Sequence, residues 1–218
     1  MRPSQRRRCR PTARRDPRRR AYGLAVDTRG RILDAALASF ADRGYEATSL
    51  DAVAAGLGVR KQTILYHFGS KEALLDAVID RSATELSDAL ERALAKAGPG
   101  FERVDALVKA VFRLAARRPE LLGLLREVSR LGPPATTRLM DALDPLIERA
   151  RAFLEAEMDA GNMRRQDPRL LLLSSYSTVI GVATEVEVLR AVGVEPTVRS
   201  LLRRRDELLD FLRSALVA

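Results

Sequence analysis

Apolar residues recur along this chain at helical spacing. Leu33, Ala36, Leu37 and Phe40 stand at i, i+3, i+4 and i+7, which predicts a first helix with Asp27 or Thr28 as N-cap. Gly44 closes it, because glycine takes the left-handed conformation that follows a last turn. Thr48 or Ser49 then caps a short segment, Leu50 to Ala55, that stops at Gly56-Leu57-Gly58, and a third helix runs from about Arg60 to Phe68. Two short helices joined by a tight glycine-containing turn form a helix-turn-helix.

Beyond it, Ser70 caps a long helix with Leu74, Ala77, Val78, Leu86, Ala89, Leu90, Ala93 and Leu94 on its apolar side, ended by Gly98-Pro99-Gly100. Two more helices carry Phe101, Val104, Val108, Val111 and Phe112, then Leu121, Leu122, Leu125 and Val128, separated by Pro119 and closed by Gly132-Pro133-Pro134. Asp144-Pro145 and Asp167-Pro168 each read as an N-cap with proline in the first helical position. From Leu170 to Val192 apolar residues cover most of the helix circumference, more than one core face needs. That predicts burial on two sides, either both inside the subunit or one of them against a second copy. A final helix, Thr197 to about Val217, keeps a leucine seam. The dimer interface expected from these two helices is Leu172, Tyr176, Val179, Ile180, Ala183, Leu201, Leu208 and Leu212. No alternating run bounded by turns suggests a strand, so the fold class is all-α, with about nine helices.

Charge changes this picture at one end only. The formal net charge is +9, yet residues 1 to 20 hold ten Arg against Asp16 and carry +9 alone, leaving 28 basic and 28 acidic residues elsewhere. The body is formally neutral. The segment 1–26 is therefore expected to be a disordered Arg-rich arm, either solvated without a role or laid along phosphates, where each Arg releases a counterion. With a single cysteine, Cys9, no intramolecular disulfide forms. No apolar run reaches the roughly 18 residues of a membrane span, so a cytoplasmic protein with no membrane partner is expected.

Catalysis finds little support. Gly56-Leu57-Gly58 lacks both the preceding strand and the third glycine of a dinucleotide site, and no His/Cys cluster holds a metal. No cofactor is expected, and no enzyme activity. Carboxylate pairs such as Glu155 with Asp159 read as helix surface.

The run from Thr28 to Gly44-Tyr45, then Thr48-Ser49-Leu50, Val53-Ala54, Leu57-Gly58-Val59-Arg60-Lys61-Gln62-Thr63 and His67-Phe68-Gly69-Ser70-Lys71-Glu72-Ala73-Leu74, resembles the N-terminal domain of TetR-family regulators. The resemblance covers the helix-turn-helix; the remainder is similar only in length and helicity. It implies a DNA-binding domain at 27–74 and a larger helical domain at 75–218 for ligand binding and dimerisation. It further implies a homodimer on a palindromic double-stranded operator, repression, and release by an unidentified small-molecule effector. Lys61 and Gln62 hold the base-reading positions, and their chemistry suits guanine and adenine edges. Thr48, Ser49, Thr63, His67 and Lys71 match phosphate-lining positions, and Arg60, Leu65 and Tyr66 complete the DNA-facing set. Gln62 departs from the small residue usual there. Leu65 stands where a tyrosine is usual, so the hydrogen bond of that tyrosine is either missing here or made by Tyr66. Phe112, Met140, Phe153, Met158 and Tyr176 are candidate walls of an effector pocket. A different class of reading is a non-specific architectural nucleic-acid binder driven by the Arg-rich arm, which salt would discriminate.

Overall fold

A computed structural model describes residues 17–217, with side chains from residue 28 onward except at 187. The Arg-rich segment ahead of residue 17, with Cys9, lies outside the described residues. Ten helices follow in order: α1 (Pro17–Arg43), α2 (Leu50–Leu57), α3 (Lys61–Phe68), α4 (Lys71–Leu94), α5 (Phe101–Arg117), α6 (Pro119–Leu131), α7 (Ala135–Asp159), α8 (Pro168–Thr184), α9 (Val186–Ala191) and α10 (Val198–Leu216). Among the described residues there is no strand, only an isolated bridge between Met163 and Val217. Nor, among them, is any helix long and apolar enough to cross a membrane.

The apolar positions fall where helical spacing puts them. Ile32, Leu37 and Phe40 on α1, Ile64 on α3, Leu74, Val78 and Ile79 on α4, and Leu122, Leu124 and Val128 on α6 are wholly enclosed in one cluster that reaches Leu216. α1 packs on α2, α4 and α6, while α4 packs on α5 and α7. The α1–α6 approach is set by small residues: a Cβ on Gly123 would lie 2.9 Å from the Ala41 Cβ. Any larger side chain at 123 forces the two helices apart.

Several termini follow from side-chain caps. Ser49 accepts from the Ala52 N–H, Ser70 from the Ala73 N–H, and Asp167 from the Arg169 and Leu170 N–H groups ahead of Pro168. Thr197 and Ser200 cap α10 reciprocally.

Four expectations change. α1 begins at Pro17, so neither Asp27 nor Thr28 is its N-cap; residues 17–26 continue the helix. Asp144-Pro145 does not open a helix: Pro145 lies inside α7, whose buried Leu139, Leu143, Leu154 and Met158 keep one phase across it. The apolar stretch 170–192 is broken at Glu185 into α8 and α9. There the Arg126 guanidinium of α6 meets the Thr184 carbonyl at 3.3 Å and the Glu185 carboxylate at 3.2 Å, closing α8.

The fourth change concerns the expected interface and pocket. Val179, Ile180, Ala183, Leu208 and Leu212 are buried inside the subunit, and Leu172 and Leu201 are half-buried against its core. What α8 turns outward is Leu170, Leu173 and Tyr176, and α10 exposes Val198 and Leu202. An all-round apolar helix shows two faces without saying which is inner, and the interior took the face carrying Val179. Of the pocket candidates, Phe112 and Met158 are core, Phe153 packs against it under Arg103, and Met140 and Tyr176 are exposed. An open groove between α4 and α7, about 220 Å³ and lined by Ser87, Glu91, Pro145 and Arg149 among others, contains none of them.

Candidate nucleic-acid interface

The turn between α2 and α3 explains how α3 is presented. Gly58 adopts φ +65°, and its N–H meets the Ala55 carbonyl while that of Val59 meets the Ala54 carbonyl. This is a Schellman closure, and the left-handed residue it needs is the glycine. The chain turns within three residues and α3 restarts at Lys61. Ile64, wholly buried, pins α3 to the core beneath it.

The rest of α3 is placed by that anchor. At about 100° per residue, Gln62 and Tyr66 lie opposite Ile64, one turn apart on a single outer face. Both are exposed, Tyr66 at 86%. Lys61 and Leu65 form one flank; Leu65 is half-buried against the core. Thr63 and His67 form the other, His67 standing edge-on to the Tyr66 ring at 5.3 Å. Arg60, the N-cap residue, is exposed and makes no capping bond.

Around α3 the surface is tied together by specific contacts. Lys61 Nζ lies 2.9 Å from Asp51 Oδ2 on α2. Lys71 sits over the Tyr45 ring at 4.2 Å and donates to the Glu46 carbonyl at 3.4 Å. The Tyr45 hydroxyl donates to Glu72 at 3.3 Å; partial burial, then that neighbouring carboxylate, pushes the phenol up to about 12. From the far side, Glu127 of α6 accepts the Tyr45 backbone N–H at 2.6 Å and holds Arg130 through two bonds of 2.8 Å. Arg130, and then the Tyr45 N–H, hold this carboxyl below its ordinary range against the opposing effect of burial.

One expected contact is corrected. Thr48 is buried, and its hydroxyl donates toward the Gly44 carbonyl at 2.8 Å and the Ser39 carbonyl at 3.2 Å. Its proton closes the α1–α2 turn and does not face outward; Ser49 alone is the exposed cap. Ser49, Arg60, Lys61, Gln62, Thr63, Tyr66, His67 and Lys71 are exposed or half-buried at the caps of α2 and α3, along α3 and at the start of α4. Arg29, which the apolar pattern of α1 did not single out, stacks over the Phe68 ring at 5.0 Å and adds a cation at the end of α3. Its signal is positional: an exposed Arg four residues before the buried Leu33.

A glycine-closed turn that sets a polar, cation-flanked helix proud of an all-helical body defines a helix-turn-helix DNA-binding transcriptional regulator. Residues 32–78 match the sequence model of bacterial regulatory proteins, tetR family. It is 25% identical over 161 residues to YhgD, an HTH-type transcriptional regulator of Bacillus subtilis, covering 72% of this chain and 84% of that protein. It is 32% identical over 131 residues to the transcriptional activator FasR of Mycolicibacterium smegmatis, covering 56% of this chain and 60% of FasR. The chain thus spans less than two thirds of FasR. In fold it is similar to a putative transcriptional regulator of Saccharomonospora viridis solved with choline, at a TM-score of 0.71, 24% identity and coverage of 88% and 99%. It is also similar to FadR of Bacillus subtilis solved with stearoyl-CoA, at 0.69, 19%, 84% and 96%.

Proposed function

We propose that the protein is a ligand-responsive repressor that binds an inverted-repeat operator as a homodimer. The DNA-reading domain is 27–74 and the remainder, 75–218, carries dimerisation and the effector. The observation that carries the reading is the outer face of α3: Gln62 and Tyr66 stand opposite the buried Ile64, with Arg60 and Lys61 at the helix start. In a major groove this face meets base edges. Gln pairs with adenine N6/N7 and a phenol hydroxyl reaches acceptors on either strand. Ser49, Thr63, His67, Lys71 and Arg29 supply donors for the flanking phosphates.

Two further observations support the rest. The outward stripe of Leu170, Leu173 and Tyr176 on α8, beside exposed Val198 and Leu202 on α10, suits a self-complementary interface between two copies. That two neighbours in fold were solved with choline and stearoyl-CoA supports a small effector within a helical body of this shape.

Gln62→Ala and Tyr66→Ala test the reading. Each is expected to weaken binding to a duplex enriched from a randomised library by ~1 to 3 kcal/mol, with far less effect on a scrambled duplex. Equal losses on both duplexes would remove base reading from α3.

A further inference from the structure

The turn between α2 and α3 is closed by its own backbone hydrogen bonds at Gly58 and Val59, and an ion pair spans it from outside. Asp51 lies in the first turn of α2 and Lys61 opens α3; their charged atoms are 2.9 Å apart and the side chains remain 69% and 46% exposed. A pair so open to solvent adds little to folding stability. Its effect falls on what approaches the surface. Lys71 is held over the Tyr45 ring and Arg60 has no ion pair among the described residues, so Lys61 is the cation of this face that a carboxylate holds.

We propose that Asp51 is a specificity-determining residue: it holds the Lys61 ammonium for a base edge and against the phosphate backbone. An ammonium has three donors. With one on Asp51, two remain for the O6 and N7 of a guanine, which carries no net charge. A phosphate in the same place brings its negative charge beside that of Asp51, and like charges repel. Phosphates are common to every sequence, so the carboxylate penalises the complexes in which Lys61 lies on a phosphate, as on non-specific DNA, and spares the one in which it lies on a guanine edge. A neutralised Lys61 also displaces no counterion, and the charge it withholds is a term non-specific binding lacks. The acid at the start of α2 is favourable toward the helix dipole as well, but that role does not reach DNA sequence preference. The inference rests on α3 being the reading helix.

The test titrates the full chain and its variants against the library-enriched duplex and its scrambled counterpart at several salt concentrations. Asp51→Asn is expected to tighten scrambled binding roughly three- to tenfold and to steepen the log–log salt slope by about 0.9, the value of one added phosphate contact. Operator binding gains less, so the operator-to-scrambled ratio falls. Asp51→Glu, which keeps the charge, restores the parental ratio; a dipole role alone leaves the ratio unmoved in every variant. Lys61→Ala is run beside them. If it lowers the ratio while Asp51→Asn shifts both duplexes equally or neither, the role of Asp51 is overturned and α3 remains the reader. If Lys61→Ala leaves the ratio at its parental value, Lys61 is not a reader and the role of Asp51 falls with it.

Discussion

Thr48 and Ser49 show how much one rotation about the backbone decides. The two neighbouring hydroxyls have similar chemistry, and either one suits a helix cap or a phosphate. In the folded chain Ser49 caps α2 from outside, whereas Thr48 turns inward to two carbonyls. Thr48→Val keeps the shape and removes the donor, so it is expected to cost about 1 to 3 kcal/mol in denaturant unfolding, because buried carbonyls lose a partner. Its effect on operator binding should follow that loss of stability alone. Ser49→Ala loses the cap, at about 1 kcal/mol. The sequence showed that a hydroxyl was needed here without showing which one faced out. Gln62 and Tyr66 were more legible, because the helical period and an apolar residue at 64 fix the outer face. The exchange of a tyrosine for Leu65 is explained in the same way: its flank leans on the core and leaves the exposed aromatic position to Tyr66.

Among the elements, α6 links the helix-turn-helix to the body. Its Gly123 lets α1 approach, its Glu127 holds the α1–α2 turn at Tyr45, and its Arg126 closes α8. None of these long-range contacts has a signature in local spacing, since each joins residues tens of positions apart. Glu127→Ala leaves the Tyr45 N–H without its acceptor and is expected to cost about 1 to 3 kcal/mol. Faster amide exchange should be confined to residues around 44–49, and Glu127→Gln, still an acceptor, should recover part of it. The pH dependence has a definite sign. The folded pKa of Glu127 lies below its ordinary 4.5, so the unfolded chain binds the proton more readily. Its contribution is therefore present above about pH 4.5 and is lost as pH falls through the folded value. The parent should lose stability across that acid range more steeply than Glu127→Gln; parallel curves would contradict the assignment. Helix ends marked by Asp-Pro or Gly were legible at α8 and α2. At Pro145 the same signal misled, because a continuous apolar phase held α7 together across a missing N–H.

At the scale of the molecule, the all-α class and the helix-turn-helix were legible from periodicity and turn residues, while the outward face of α8 was not. That face now makes a sharper prediction than the buried residues could. Leu173→Asp places a charge on the proposed interface without disturbing the core, so it should yield folded monomer in sedimentation where the parent sediments as dimer; a monomeric parent would remove the interface. On the proposed function, dimerisation and reading meet in the operator, since two copies related by a two-fold axis read two copies of one half-site. Selection of binding sites by the full chain from a randomised duplex library, at physiological salt, tests both at once. The expected product is an inverted repeat with half-site centres about 34 to 36 Å apart or a multiple of it, bound at least about a thousandfold more tightly than scrambled DNA. A library that emerges unenriched, with binding that fades uniformly as salt rises, would contradict the account.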